Sequence, residues 1–355
     1  MSKTFLNEFQ QAFEKSLKDQ WTKGASEEQL LEGMGAAFER SRAQIGPTIL
    51  KDLKRRTKSM LKAERAKIAG FEKRNFDRWK PAFDIFEAIL EIVHEVGAQH
   101  DADFRPQAIR NQDWRFEAVS HIHARGLLVA REIYGLLRCG FPDGALARWR
   151  TLHELTTTAI FISQCEPEIA FRYLASFRFA ALRAARQLSE FAERADMEPF
   201  SAEEIRLMEE ECVALTRHIG ERLKSDYDWA TPSLGNGKAT FDRIEKSVGL
   251  DHWRPRYRWA SQHNHGGHRP GMNLLGACES EEPLFLVGPS NSGFVDPLHM
   301  SSVSLMQLFS TFLLNEPNLD RIIIVDVVNS LVDELGPLAI EVERTSLEAR
   351  RARSH

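Results

Sequence analysis

Apolar residues recur along the chain at intervals of three and four, a spacing that predicts helices almost throughout. Phe5, Phe9, Phe13 and Leu17 stand four apart within residues 4–22, a stripe that only a helix gathers onto one side. A helix start follows at Ala25-Ser26-Glu27-Glu28. Leu30, Leu31, Met34 and Phe38 continue at helical spacing until Gly46-Pro47 interrupts, so this part reads as a short helical hairpin. From about Pro81 the pattern predicts long helices. In the stretch from Trp114 to Gly140, Ala118, Ile122, Leu127, Ala130, Ile133 and Leu137 recur on one side, and Gly140-Phe141-Pro142-Asp143-Gly144 ends one helix and starts the next. Further helices run from about Pro167 and from Ser201, the second opened by a Ser201/Glu204 capping box. The texture loosens after Lys224. A short helix near Phe241 precedes a histidine-rich segment, Tyr257 to Pro270. Residues 283–296 contain two short β-like runs around Pro289-Ser290-Asn291-Ser292-Gly293 and predict a small β-hairpin, and two helices, roughly 297–315 and 319–345, close the pattern.

The fold class is therefore all-α, a multi-helix bundle in three parts. Residues 1–80 form an N-terminal helical extension, 81–276 a core bundle holding the candidate active site, and 277–355 the hairpin-like segment with the C-terminal helices. With 43% hydrophobic residues the chain has enough apolar material for one large core or two modest ones. A net charge of -4 argues against a protein that coats nucleic acid with its whole surface, so any such contact is local. The local exception is residues 51–80, where 12 lysines and arginines outnumber the acids between them. A solvated helix face, an oligomerisation arm and an RNA-contacting surface all fit that run. Cys139, Cys165, Cys212 and Cys278 are widely spaced and form no CxxC pair, which fits a reducing cytoplasm and suggests neither a disulfide framework nor a structural zinc site. No apolar run is long enough to span a bilayer, and the N-terminus lacks the uninterrupted apolar stretch of a secretory signal.

Candidate chemistry gathers in the histidine segment. Arg258, His263, His265, His268 and Arg269 lie close together beside Gly266-Gly267, and on a continuous helix His265 would return to the face of Arg258. A histidine near neutrality can move the proton of a 2'-hydroxyl or of a leaving 5'-oxygen, while arginine donates to phosphate oxygens as charge builds on them. No metal or cofactor is needed for that chemistry. A second candidate is the pair Arg150 and Glu154, stacked at four-residue spacing on an otherwise apolar helix where unpaired charge is costly. The competing metal-site reading takes Glu117, His121 and His153, with His123 nearby; Glu117 and His121 are co-facial, whereas His121 and His123 diverge. Trp149, Trp253 and Trp259 read as core or helix-contact residues.

The Arg-x4-His and Arg-x6-His spacings, Arg258 with His263 and with His265, resemble the pattern of the HEPN-type helical ribonucleases. Trp259 departs from that pattern, which usually has a small polar or ionisable residue after the arginine. The chain also resembles, over about residues 80–270, a bacterial helical domain family without assigned function. That family combines an Arg-x-x-x-Glu helix after a Gly-containing turn, here Gly144 to Glu154, with a Tyr-x-x-x-Ser-x-x-x-His segment, here Tyr257, Ser261 and His265. The resemblance implies a HEPN-like bundle in which Arg150, Glu154, Tyr257, Ser261 and His265 face one cavity, and it associates the chain with abortive-infection and toxin proteins of anti-phage defence. The function it implies is a metal-independent ribonuclease effector working as a homodimer, with RNA and a regulatory or antitoxin protein as partners. Catalysis would fall to His265, Arg258, Glu154, Arg150 and His263, and binding to Tyr257, Ser261, His268 and Arg269. Alternatives are a non-catalytic helical sensor or scaffold that binds a partner protein or small ligand, and a metal-dependent hydrolase.

Overall fold

A computed structural model describes residues 10, 11, 14, 15, 18, 26–268, 270 and 273–354. The stripe Phe5, Phe9, Phe13 and Leu17 and the candidate Arg269 lie outside the described residues. From Glu27 onward the described residues form, in order, the α-helices α1 Glu27–Asn111, α2 Trp114–Arg138, α3 Pro142–Gln164, α4 Pro167–Ala195, α5 Ala202–Ile219, α6 Thr231–Leu234, α7 Phe241–Ser247, α8 Arg254–Ser261, α9 Val295–Leu313 and α10 Leu319–Ser354. Among the described residues there is no strand, and the all-α class holds. Compact units form at Met1–Lys73 and Arg74–His355. Among the described residues no helix is long and apolar enough to cross a membrane.

In the unit from Arg74, Trp79, Phe83, Phe86, Leu90 and Val93 of α1 are buried with Val129 and Ile133 of α2 and with Leu305, Leu308, Phe309 and Phe312 of α9. The polar atoms of this core are tied off locally. Asn75, fully buried, donates to the carbonyls of Leu137 and Arg138 at 2.8 and 2.9 Å and so satisfies the end of α2. Trp149 Nε1 donates to the Met300 carbonyl at 3.0 Å and to Ser304 Oγ at 3.1 Å, fastening α3 to α9. Asp113 caps α2 by accepting from the Phe116 amide, and Ser201 and Glu204 form the expected capping box on α5. Gly140, at φ 85°, reverses the chain between α2 and α3.

Two expectations fail, each for a physical reason. Gly46-Pro47 does not break the first helix, and Pro81 does not start a new one; α1 runs through both. Pro47 and Pro81 are exposed, as are Ala43 and Asp77 four residues before them, so the carbonyl that each proline leaves without a partner is on a side where water can reach it. The β-hairpin at 283–296 is absent. That segment spends its backbone groups on helices instead: the Asn291 carbonyl accepts from Trp79 Nε1 at 2.8 Å and the Ser290 amide donates to the Gly140 carbonyl at 2.8 Å. Phe294 then stacks on Trp79 with centroids 4.9 Å apart and leads into α9, while Phe285 and Val287 point into solvent.

Gly293 is the hinge of that path. It sits at φ 74°, and a Cβ there would lie 2.3 Å from the Leu275 carbonyl oxygen. Gly293→Ala is expected to destabilise the protein by roughly 2–4 kcal/mol, read as a lower urea midpoint with an unchanged slope; an unchanged midpoint would contradict this packing.

Candidate functional site

The central polar cluster is built from three helices. α3 presents Arg150 and Glu154 on one side and His153 on the adjacent inner side, as its periodicity requires. α7, capped by the Thr240 side chain, carries Glu245. α8 begins with Pro255 in its first turn and carries Arg254 and Tyr257 three apart, hence co-facial.

At its base lies a buried triad. Glu245 is 0% exposed and His153 1%; His153 Nε2 is 2.8 Å from Glu245 Oε1, and the Arg254 guanidinium pairs with the other carboxylate oxygen. His153 stacks on Trp149 at 5.3 Å and meets Phe241 edge-on at 6.0 Å. Taking a carboxylate fully out of water costs several kcal/mol, so the ion pair and the imidazole are what permit Glu245 to sit there.

Above the triad, Arg150 Nη2 meets Glu154 Oε1 at 2.9 Å, with the two side chains 31% and 25% exposed. The Tyr257 hydroxyl donates to the same carboxylate oxygen. Arg150 and Arg254 both approach the Tyr257 ring, with guanidinium carbons 4.7 and 5.2 Å from its centroid. Burial pushes the Tyr257 phenol well above its ordinary range, reinforced by its hydrogen bond to Glu154 and by the Glu154 charge, against the opposing pull of Arg150. Tyr227, beside Phe241, is pushed up to about 12, first by burial and then by the Glu154 charge. Both phenols therefore remain donors at any physiological pH.

Of the site expected from the sequence, Arg150, Glu154 and Tyr257 come together. Ser261 is close in sequence but donates to the Tyr257 carbonyl at 2.8 Å, bonding back onto its own helix. The shared face of Arg258 and His265 does not form, because α8 ends at Ser261 and the chain continues as a 3₁₀ turn, Gln262–Asn264, with His265 in extended backbone. Arg258 is exposed, on the side of Asp242. That carboxyl is held below its usual range by its hydrogen bond to Lys246 first, and also by the charges of Arg254, Lys246 and Arg258. His265 and His268 are exposed. His263 is tucked in, its Nδ1 3.6 Å from Asp143 Oδ1 at the start of α3. Asp143 also accepts from the Leu275 and Gly276 amides at 2.9 and 3.0 Å.

The alternative metal ligands are dispersed. Glu117 pairs with His121 at 2.9 Å and with Arg105 at 2.8 Å on the surface, while His153 lies in the core against Glu245. Among the described residues no group of three or more His, Cys, Asp or Glu is placed to hold a metal ion.

Sequence reasoning missed Glu245, Arg254, Tyr227 and Asp143. Glu245 did leave a signal, since it falls on the apolar face set by Phe241, Ile244 and Val248. Removing the carboxylate strands Arg254 and His153, so Glu245→Ala is expected to cost about 3–5 kcal/mol, measured by urea denaturation; a cost under about 1 kcal/mol would mean the triad is dispensable.

His123 is buried and stacks on Phe312 at 4.6 Å, in a space left by Gly97, where a Cβ would lie 2.4 Å from its ring. Its pKa is lowered to about 4 by burial and then by the charge of His100, against Asp101. His100 is lowered to about 4 by burial and then by Arg321. The unfolded chain thus binds protons between pH 6.5 and about 4 that the folded chain refuses. The stability these neutral imidazoles contribute, about 3 kcal/mol for His123, is complete above pH 6.5 and is lost as pH falls toward 4. Urea midpoints should drop across that interval and drop less steeply in His123→Leu; a flat profile in the unsubstituted protein would exclude this account.

Residues 116–283 match a family described as "Family of unknown function (DUF5677)". No curated protein and no solved structure matches the chain. The matched span is somewhat less than half of the chain and contains the Arg150/Glu154 helix, the buried triad and the Tyr257 to His265 segment, so it is in the region of the polar cluster that the chain is similar to this family.

Proposed function

We propose that the chain is a metal-independent ribonuclease, acting in the cytoplasm as a toxin-like effector of bacterial antiviral defence and assembling as a HEPN-like homodimer. The observation that carries this reading is the grouping of Arg150, Glu154 and Tyr257 at one partly exposed spot over a buried charged triad. An apolar core of the same volume would cost less to bury than a carboxylate, a guanidinium and an imidazole, and such groups concentrate at functional sites.

In the proposed reaction the 2'-hydroxyl oxygen bonds to the neighbouring phosphorus as the bond from phosphorus to the 5'-oxygen breaks. The products are a 2',3'-cyclic phosphate and a 5'-hydroxyl. Arg150 faces the phosphate and offsets the charge that builds on it, while Glu154 and Tyr257 hold that guanidinium in place. His265, in the exposed segment after α8, moves the proton from the attacking to the leaving oxygen, with His263 behind it. Arg258 and His268 lie along the strand's approach.

A second reading has its own support. Glu154 is already engaged by Arg150 and Tyr257, and Ser261 is turned onto its own helix. A site whose charges satisfy one another suits a sensor or scaffold that binds a partner protein or small ligand.

Purified full-length protein incubated with end-labelled RNA in EDTA separates the two. The ribonuclease reading expects cyclic-phosphate products, and a loss of about 10²- to 10³-fold in rate for Arg150→Ala and for His265→Ala. Intact RNA with the unsubstituted protein, or equal cleavage by both variants, goes against it.

A further inference from the structure

The unit Met1–Lys73 contains a run of cations that the polar cluster does not use. Within α1, Lys51, Lys54, Lys58, Lys62 and Arg65 are exposed and recur at intervals of three and four, which places them on one face over about 21 Å of helix. Among the described residues none of the five has an acidic partner. The acids nearby serve the flanks: Asp52 pairs with Arg55 and Arg56, and Glu64 with Lys67.

Two other exposed helix faces are built differently. Arg206 lies between Glu203 and Glu210, and Arg344 between Glu341 and Glu348, each arginine balanced at i−3 and i+4. Like charges one turn apart, as in Lys54/Lys58 and Lys58/Lys62, repel and weaken a helix by about as much as opposite charges support it. Residues 51–65 accept that repulsion along a whole face, in a chain whose net charge is -4. A merely solvated face has no reason to do so.

We infer that this face is a track for an RNA strand, gripped through its phosphates without regard to sequence. One cation per turn, about 5 Å apart along the axis, suits a linear polyanion lying along the helix. An anionic membrane fits less well. The exposed apolar residues are spread round the helix, with Leu50, Leu61 and Ile68 about 60–80° from the centre of the cation face and Leu53 and Met60 about 140–160°, so they do not form one face opposite the cations, as a helix lying in a bilayer surface has. The choice of RNA over other polyanions rests on the ribonuclease reading; the presence of a polyanion track does not.

The test is fluorescence anisotropy with the full chain and a 2'-O-methylated 20-nucleotide RNA, which binds but cannot be cleaved through its 2' position. Five phosphate contacts predict that log Kd rises with log [KCl] at a slope of about 3 to 4. The triple variant Lys54→Gln/Lys58→Gln/Lys62→Gln should lower that slope by about 2 and weaken binding at least about tenfold at 0.1 M KCl. The corresponding triple Lys→Arg variant should bind like the unsubstituted protein, which separates charge from folding. Absence of RNA binding, an unchanged slope in the glutamine variant, or binding confined to phosphatidylserine vesicles overturns the inference. Binding with these signatures alongside no cleavage of unmodified RNA sinks the ribonuclease reading and leaves the track standing. Cleavage with an unchanged slope does the reverse.

Discussion

The burial of one carboxylate organises the middle of this molecule. Glu245 has no contact with water, and a carboxylate in that position is tolerable only if a counter-charge and hydrogen-bond partners come to it. Arg254 reaches it from α8 and His153 from α3, so three helices meet at a single side chain. Tyr257 follows from that contact. With Arg254 anchored, the residue one turn later is delivered to Glu154, and the Glu154 carboxylate is shared between a phenol and a guanidinium. The partly exposed cluster is thus the outer layer of a buried one, and its geometry is inherited from below.

This layering also fixes protonation. Burial and the neighbouring carboxylate both oppose ionisation of the two tyrosines, so both stay hydroxyls, with that of Tyr257 held by Glu154. The partly exposed Arg150 guanidinium favours groups rich in acceptor oxygens. Phosphodiesters belong to that class, and so do carboxylates and sulfates.

The helices and their order were legible because three- and four-residue periodicity is a direct imprint of burial, and the Ser201/Glu204 box and the Gly140 turn were legible because their chemistry is local. The Arg150/Glu154 pair could be read from spacing for the same reason. Where the reading failed, the deciding partner was distant in sequence. Pro47 and Pro81 look like breaks until their solvent-facing position is known. The 283–296 segment has strand-like composition, yet its hydrogen-bond partners are Trp79 and Gly140. Arg258 and His265 would share a face on a longer helix, but α8 stops at Ser261, and no residue between them marks that stop. Glu245 was passed over because a lone acid in a short helix, even on its apolar face, reads as a surface group until Arg254 and His153 are known to meet it.

Asp143 gives the histidine segment a particular kind of freedom. By holding the Leu275 and Gly276 amides, with His263 close beside it, one carboxylate clasps both ends of a stretch of chain and closes it into a ring on the bundle. The entropy of closing such a ring grows only with the logarithm of its length, about 0.6 kcal/mol for each doubling. Residues can therefore be added or exchanged between positions 264 and 274 at little cost, without disturbing α3 or the triad beneath it. The clasp separates the part of the molecule on which folding depends from a part whose sequence answers to function instead.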